Sequence, residues 1–261
     1  MSDVLDDILD VRRKRIAESK QQVSFADLER QAKNAGAQRS FFNALATGTT
    51  INVIAEMKMK SPSAGVLKGN YDVAEIARNY EKGGARALSV LTEPDRFGGN
   101  IVDLAKARAA STLPILEKDF VFDPYQIVEA RVKGADAVLL IADMLDAKLL
   151  KELADYARDM GLEPLVEVFT KGSVDPALKT DARVIGINTR NLRTLSMHPE
   201  NIAQLSALIP KDRLIVAESG IKTAEDVRRL KGYRVKAILV GESLLKQADP
   251  VQATKQLAEA A

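Results

Sequence analysis

Glu56 and Lys58 stand two residues apart at the end of the apolar run Val53-Ile54-Ala55, within VIAEMKMKSPSAG. In a strand that spacing points both side chains to one face. A carboxylate and an ammonium on the buried face of a strand are expensive unless each has a partner or a ligand. The arrangement recurs. Later apolar runs end in Thr92 and Glu93, Lys118 and Asp119, Glu167, Asn188 and Arg190, the trio Glu218, Ser219 and Gly220, and Gly241. Lys and Glu gathered in one cleft supply a general acid and a general base near neutral pH when their surroundings separate their pKa values. A lysine in such a cleft also offers Schiff-base chemistry, so an aldolase is a rival reading.

The last two runs suit an anion. Ser219-Gly220 and Gly241-Glu242 put small residues and backbone N–H groups just after them, with Ser243-Leu244-Leu245 able to start a short helix. Arg190 and Ser61 can add a charge and a hydroxyl, and Glu242 fits beside a phosphate only through its N–H. Phe97, Phe120 and Leu192 follow other runs and can wall off an aromatic ring.

The elements that must position these residues alternate. Strand-like runs cover Val53–Lys58, Ala87–Thr92, Pro114–Asp119, Ala137–Ala142, Pro164–Phe169, Val184–Thr189, Leu214–Ser219 and Ala237–Gly241. Helical patterns follow at Val73–Lys82, Ile101–Ala110, Tyr125–Lys133, Lys148–Met160, Val174–Lys179, Pro199–Leu208, Ala224–Leu230 and Val251–Ala260. Asp123-Pro124, Asp175-Pro176 and Asp249-Pro250 mark starts, and Gly83, Gly134 and Gly161 mark stops. Eight parallel βα units close an α/β (β/α)8 TIM barrel, whose chemistry sits at the C-terminal strand ends. A doubly wound open sheet is the alternative, but Ser61-Pro62-Ser63 is not its glycine-rich loop. Residues 1–48 read as a helical extension on a barrel of residues 49–261. In the extension, residues 3–20 form a helix with Val4, Ile8 and Val11 inward and Arg12 to Arg15 on a solvated face. Shorter helices are expected at Phe25–Ala32, after Ser24, and at Arg39–Leu45.

Composition narrows the chemistry. The 261 residues are 46% hydrophobic and 28% charged, with a net charge of +2, one His and no Cys. The absence of Cys excludes disulfides, zinc–thiolate sites, iron–sulfur clusters and thiol nucleophiles. His198, in a polar loop before Pro199, reads as a surface residue, which leaves no histidine triad or histidine metal cluster. No basic block suggests nucleic acid, no apolar run reaches membrane-spanning length, and the acidic start is not a signal peptide, so a cytoplasmic protein is expected. The chain ends directly after the eighth helical pattern, and no fused enzyme is expected.

The segments EMKMKSPSAG, SVLTEPDRFGG, LEKDFVFDPYQIVEARVKGADAVLLI, LVEVF, IGINTRNL, AESGI and VGESLL resemble the indole-3-glycerol-phosphate synthase family, in order and over essentially the whole chain. The resemblance implies ring closure, decarboxylation and dehydration of 1-(2-carboxyphenylamino)-1-deoxyribulose 5-phosphate, without metal or organic cofactor. It implies a monomer in tryptophan biosynthesis, with at most weak association with other enzymes of that pathway.

Residue by residue, it makes Lys118 the general acid on the substrate ketone. Glu167 and Lys58 handle proton transfers in dehydration, and Glu56 holds the lysines in place. Asn188 and Ser219 contact the reacting portion, with Glu218 nearby, and Lys60 and Ser61 lie near the carboxylate or phosphate. Arg190, Gly220, Gly241 and the Glu242 N–H hold the phosphate, while Phe97, Phe120 and Leu192 enclose the anthranilate ring. Met59, Glu117 and Phe169 depart from the family pattern. Alternation sends Glu117 outward, with little effect expected on the rim. Ser63, Ala64 and Gly65 give the first loop the makings of a lid. Besides the aldolase, an inactive barrel serving as a subunit is the remaining alternative.

Overall fold

The computed structural model describes residues 4–48, 50–61, 65–67, 69 and 71–260. Strands β1 (Asn52–Met57), β2 (Ala87–Leu91), β3 (Ile115–Lys118), β4 (Ala137–Ile141), β5 (Glu163–Val168), β6 (Val184–Asn188), β7 (Leu214–Glu218) and β8 (Val235–Val240) pair in parallel, each with the next. β8 closes on β1 with Asn52 opposite Ala237. The closed ring removes the open-sheet alternative.

Strand parity sorts the side chains. Val53, Ala55, Ile115, Val166, Ile185, Ile215 and Ile238 pack outward under the helices. Ile54, Leu116, Leu165, Val184, Val216 and Leu239 fill the barrel interior. One pleat further along the interior face come Glu56, Lys118, Glu167, Gly186 and Glu218, so the register that buries the core also builds the rim.

Among the described residues twelve α-helices occur. Helices α1 (Val4–Gln22), α2 (Phe25–Lys33) and α3 (Phe41–Ala46) precede the barrel. Ser24 and Ser40 cap α2 and α3, and Phe41 and Leu45 enter the interior cluster from the strand starts. Asn52 there donates to the Leu45 carbonyl at 2.8 Å. The barrel helices are α4 (Val73–Lys82), α5 (Val102–Ala110), α6 (Pro124–Lys133), α7 (Ala147–Asp159), α8 (Lys171–Leu178), α9 (Glu200–Ser206), α10 (Ala224–Leu230), α11 (Glu242–Leu245) and α12 (Pro250–Ala258). No helix among the described residues is long and apolar enough to cross a membrane.

Three expectations are corrected. The inward face of α1 is Leu5, Ile8, Leu9, Arg12 and Ile16, while Val11 is exposed. Arg12 is therefore no part of a solvated face. It is buried and its Nη2 lies 2.5 Å from Asp119 Oδ2, because the helical period that buries Ile8 and Ile16 also buries position 12. Third, α8 starts at a Thr170–Ser173 capping box, not at Asp175-Pro176. Pro176 lies inside that short helix.

Candidate active site

The strand ends line one cleft of about 1130 Å3. Lys118, from β3, has its Nζ 3.0 Å from Glu167 Oε2 and 3.3 Å from Glu218 Oε2. Asn188 donates to the other Glu167 oxygen at 3.0 Å, and its own Oδ1 accepts the Arg190 N–H at 2.9 Å. Asn188 and Glu218 are register partners across β6 and β7, which fixes this side of the rim. Glu56 pairs directly with Lys58, at 2.5 Å. Lys118 is held by Glu167 and Glu218 instead.

Burial and ion pairing act against each other here. Burial alone would lower the Lys118 pKa, but ionised Glu167 first, then Glu218 once it ionises and Glu56, outweigh it and hold the ammonium well above its usual range. Burial would raise Glu167, yet Lys118 and the Asn188 amide bring it below the ordinary carboxylate value. Glu218 goes the other way. Burial, with Glu167 adding to it, pushes Glu218 up to about 8 against the pull of Lys118. Two neighbouring carboxyls with opposite shifts give one ionised base and one neutral acid at neutral pH.

Two glycines make this crowding possible. A Cβ at Gly186 would collide with Glu218 Oε1 and Leu165, and one at Gly241 would meet Glu56 Oε1 at 2.6 Å. Gly186 was not anticipated as a site residue. Alternation in VIGIN places it on the interior face two residues before Asn188, and that was the available signal. Leu139 on β4, another unanticipated lining residue, follows from the same parity.

Phe97, Phe120 and Leu192 come together in the cleft. Phe97 and Phe120 have ring centroids 6.3 Å apart, and Leu192 lines the same cleft with Ser61. Lys60 is not in that lining; its ammonium donates to the Asp95 carbonyl at 2.8 Å. Lys60 and Ser61 form a two-residue antiparallel ribbon with Gly65 and Val66. Of the expected lid, Ser63 and Ala64 lie outside the described residues.

The ends of β7 and β8 have their own geometry. Ser219 and Gly220 both take positive φ, 66° and 76°. For Ser219 this is an uncommon backbone state, of the kind that collects at functional turns. Gly241 leads into α11, and Glu242 turns its carboxylate away to Lys246 at 2.5 Å. Arg190 lines the cleft beside them. His198 is not among the residues lining the cleft; its Nδ1 lies 3.0 Å from Glu200 Oε1 and its ring is edge-on to Phe169.

Glu117 does point away from the interior, yet it is buried. Its Oε1 lies 3.1 Å from Thr92 Oγ1, which is also 3.2 Å from Asp119 Oδ2. Burial, with Asp119 beside it, drives Glu117 well above the ordinary carboxylate range.

The indole-3-glycerol phosphate synthase family model matches residues 5–257. The chain is 46% identical over 254 residues to an indole-3-glycerol phosphate synthase of Rhodopirellula baltica, covering 97% of this chain and 98% of that protein. It is 45% identical over 257 residues to one of a Nocardioides species, with 97% of each covered. Among solved structures, KGPDC from Streptococcus mutans superposes with TM-score 0.63 at 14% identity, over 81% of this chain and 97% of that one. Thiamine phosphate pyrophosphorylase from Pyrococcus furiosus superposes at 0.60 and 17% identity, over 80% and 95%. Those two likenesses concern the barrel fold alone. The match along almost the entire length, with close relatives at the sequence level, places the chain in the indole-3-glycerol phosphate synthase family.

Proposed function

We propose that the chain converts 1-(2-carboxyphenylamino)-1-deoxyribulose 5-phosphate to indole-3-glycerol phosphate, CO2 and water. The observation that carries this reading is the Lys118 ammonium held between Glu167 and Glu218 in an aromatic-walled cleft. Arg190 and the backbone N–H groups of Gly220, Gly241 and Glu242 hold the phosphate, with Ser61 contributing a hydroxyl. Phe97, Phe120 and Leu192 enclose the ring.

Ring closure forms a bond between the carboxylate-bearing ring carbon and the ketone carbon. Lys118 gives its proton to the ketone oxygen as that bond forms. The carbon–carboxylate bond then breaks, and its electron pair restores aromaticity as CO2 leaves. In the dehydration the new hydroxyl departs as water with a proton from Lys58. Glu167, the ionised carboxyl, takes the proton lost from the adjacent carbon. Asn188 orients Glu167, Glu56 orients Lys58, and Ser219 and Glu218 contact the reacting portion. The reading takes residues 1–48 as an extension on a barrel of residues 49–261. It makes the protein a cytoplasmic monomer.

A Schiff-base aldolase is the weaker reading, because it needs a neutral amine and Lys118 sits between two carboxyls that favour its charged form. An inactive scaffold would have no use for three buried carboxyls around two lysines. The test mixes the protein with the carboxyphenylamino-deoxyribulose phosphate in EDTA and follows indole fluorescence. Wild type is expected to give signal, and Lys118→Ala to lose about 10²-fold or more of the rate with its fold intact by circular dichroism. A flat trace from folded wild type would overturn the assignment, and borohydride trapping of a covalent adduct would favour the aldolase.

A further inference from the structure

A second cavity, of about 700 Å3, lies at the opposite end of the barrel, where β7 and β8 begin. Its lining carries Lys211, Arg213, Lys231, Arg234 and Lys236, together with the Thr50 hydroxyl, and no carboxylate. Five cations in one concavity are conspicuous in a chain whose net charge is only +2. Like charges gathered with little counter-charge repel one another and weaken the fold unless an anion relieves them.

The two arginines are held in place by the backbone. Arg213 Nη1 donates to the Ala182 carbonyl at 3.0 Å, and Arg234 Nη2 donates to the Ser206 and Ile209 carbonyls at 2.5 and 2.7 Å. Arg213 Nε is buried without a hydrogen-bond acceptor, and Asp212 approaches it only to 3.8 Å. Arg234 occupies the left-handed region at φ 57°, unusual for a long side chain. Among the described residues, Lys211, Lys231 and Lys236 make no ion pair or side-chain hydrogen bond. Fixed guanidinium forks and uncommitted ammonium groups are complementary devices for phosphoryl oxygens.

We propose that this basal cavity binds a compact polyanion, a small molecule carrying two or more phosphate groups. The cavity is the size of a small-ligand site, and its five charges exceed what a monophosphate would neutralise. It lies on the face away from the catalytic cleft and is independent of the reaction proposed above.

Inorganic tripolyphosphate is the probe, titrated calorimetrically at about 0.15 M salt, where exposed charges more than about 8 Å apart are largely screened. Wild type is expected to bind it. The combined variant Lys211→Ala, Lys231→Ala, Lys236→Ala should weaken binding at least about tenfold while turnover of the indole-forming reaction is unchanged. Arg190→Ala, at the other end of the barrel, should leave the tripolyphosphate Kd unaltered. All three lysines are exposed, and Lys231→Glu alone carries the same test should the combined variant fold poorly. Absence of binding overturns the proposal. So does an equal Kd in wild type and lysine variants, loss of binding in Arg190→Ala, or displacement by sulfate at equal ionic strength, which marks a counter-ion cloud only.

Discussion

Glu117 and Asp119 share a single hydroxyl, that of Thr92, behind the strand that carries Lys118. A hydroxyl has one proton and cannot donate to both carboxyls. Burial raises Asp119 above its ordinary value as well, but Arg12 Nη2 at 2.5 Å and the Phe120 N–H, donating at 2.8 Å, favour its charged form. Among the described residues Glu117 makes no ion pair, and burial with Asp119 beside it favours its neutral form. Folding thus raises the Glu117 pKa, through burial first and Asp119 second. The folded state binds this proton more tightly than the unfolded chain. Stability from this group is complete at acidic pH and is lost as pH rises from the ordinary carboxylate range through the raised value. Glu117→Gln keeps a donor for Thr92 and cannot ionise. Denaturant melts across pH should show a shallower loss of stability with rising pH than wild type; parallel curves would show that Glu117 is already charged.

Arg12→Ala strips Asp119 of its cation while leaving the carboxylate buried. Removing one partner of a buried pair costs about 3–5 kcal/mol, and urea unfolding should show a loss of that order. Arg12→Lys should recover part of it. A loss below about 1 kcal/mol would mean that the pair behaves as an exposed one.

Gly186→Ala tests the room made for Glu218. Its Cβ would press on Glu218 Oε1 and approach Leu165 Cδ2 at 2.8 Å. Overpacking of this kind costs about 1–3 kcal/mol. Because the displaced carboxyl is one of the two that hold Lys118, kcat should fall along with Tm. Unchanged kinetics with a lowered Tm would confine Gly186 to packing.

Why some of this was legible in the sequence and some was not comes down to range. Parity along a strand is local, so Glu56, Lys118, Glu167, Asn188 and Glu218 could be placed on one rim from alternation and the βα repeat. Which carboxyl meets which lysine is set by register between strands distant in sequence. That is why Glu56, expected to hold both lysines, pairs directly with Lys58 and reaches Lys118 only through its field. Arg12 reads as part of a solvated face for the same reason. Its partner lies 107 residues away, and within a helix an arginine in a charged run looks solvated.

Lys58 and Lys60 separate on geometry. Lys58 lines the cleft against Glu56, whereas Lys60 reaches outward to the Asp95 carbonyl. Lys58→Ala should lower kcat by about 10²-fold or more, as loss of a proton donor does. Lys60→Ala should change kcat by less than about tenfold. Comparable losses of kcat in both would mean that the Lys60 ammonium swings into the cleft when substrate is bound.

Glu218→Gln isolates the titration in the cleft. Burial and Glu167 raise Glu218 to about 8, so the wild-type carboxyl is mostly neutral at pH 7 and ionises above that value. Ionisation places a second full negative charge 3.3 Å from the Lys118 ammonium, tightening its hold on the proton it must donate. The kcat profile of wild type should therefore bend downward through about pH 8. In Glu218→Gln the amide stays neutral, and that bend should disappear or move to higher pH. The stability sign is the same as for Glu117, since the folded state binds the Glu218 proton more tightly, and the variant should lose less stability between the ordinary carboxylate range and about pH 8. A bend that persists unchanged in Glu218→Gln would assign the alkaline limb to another group and leave Glu218 as a contact residue without a titrating role.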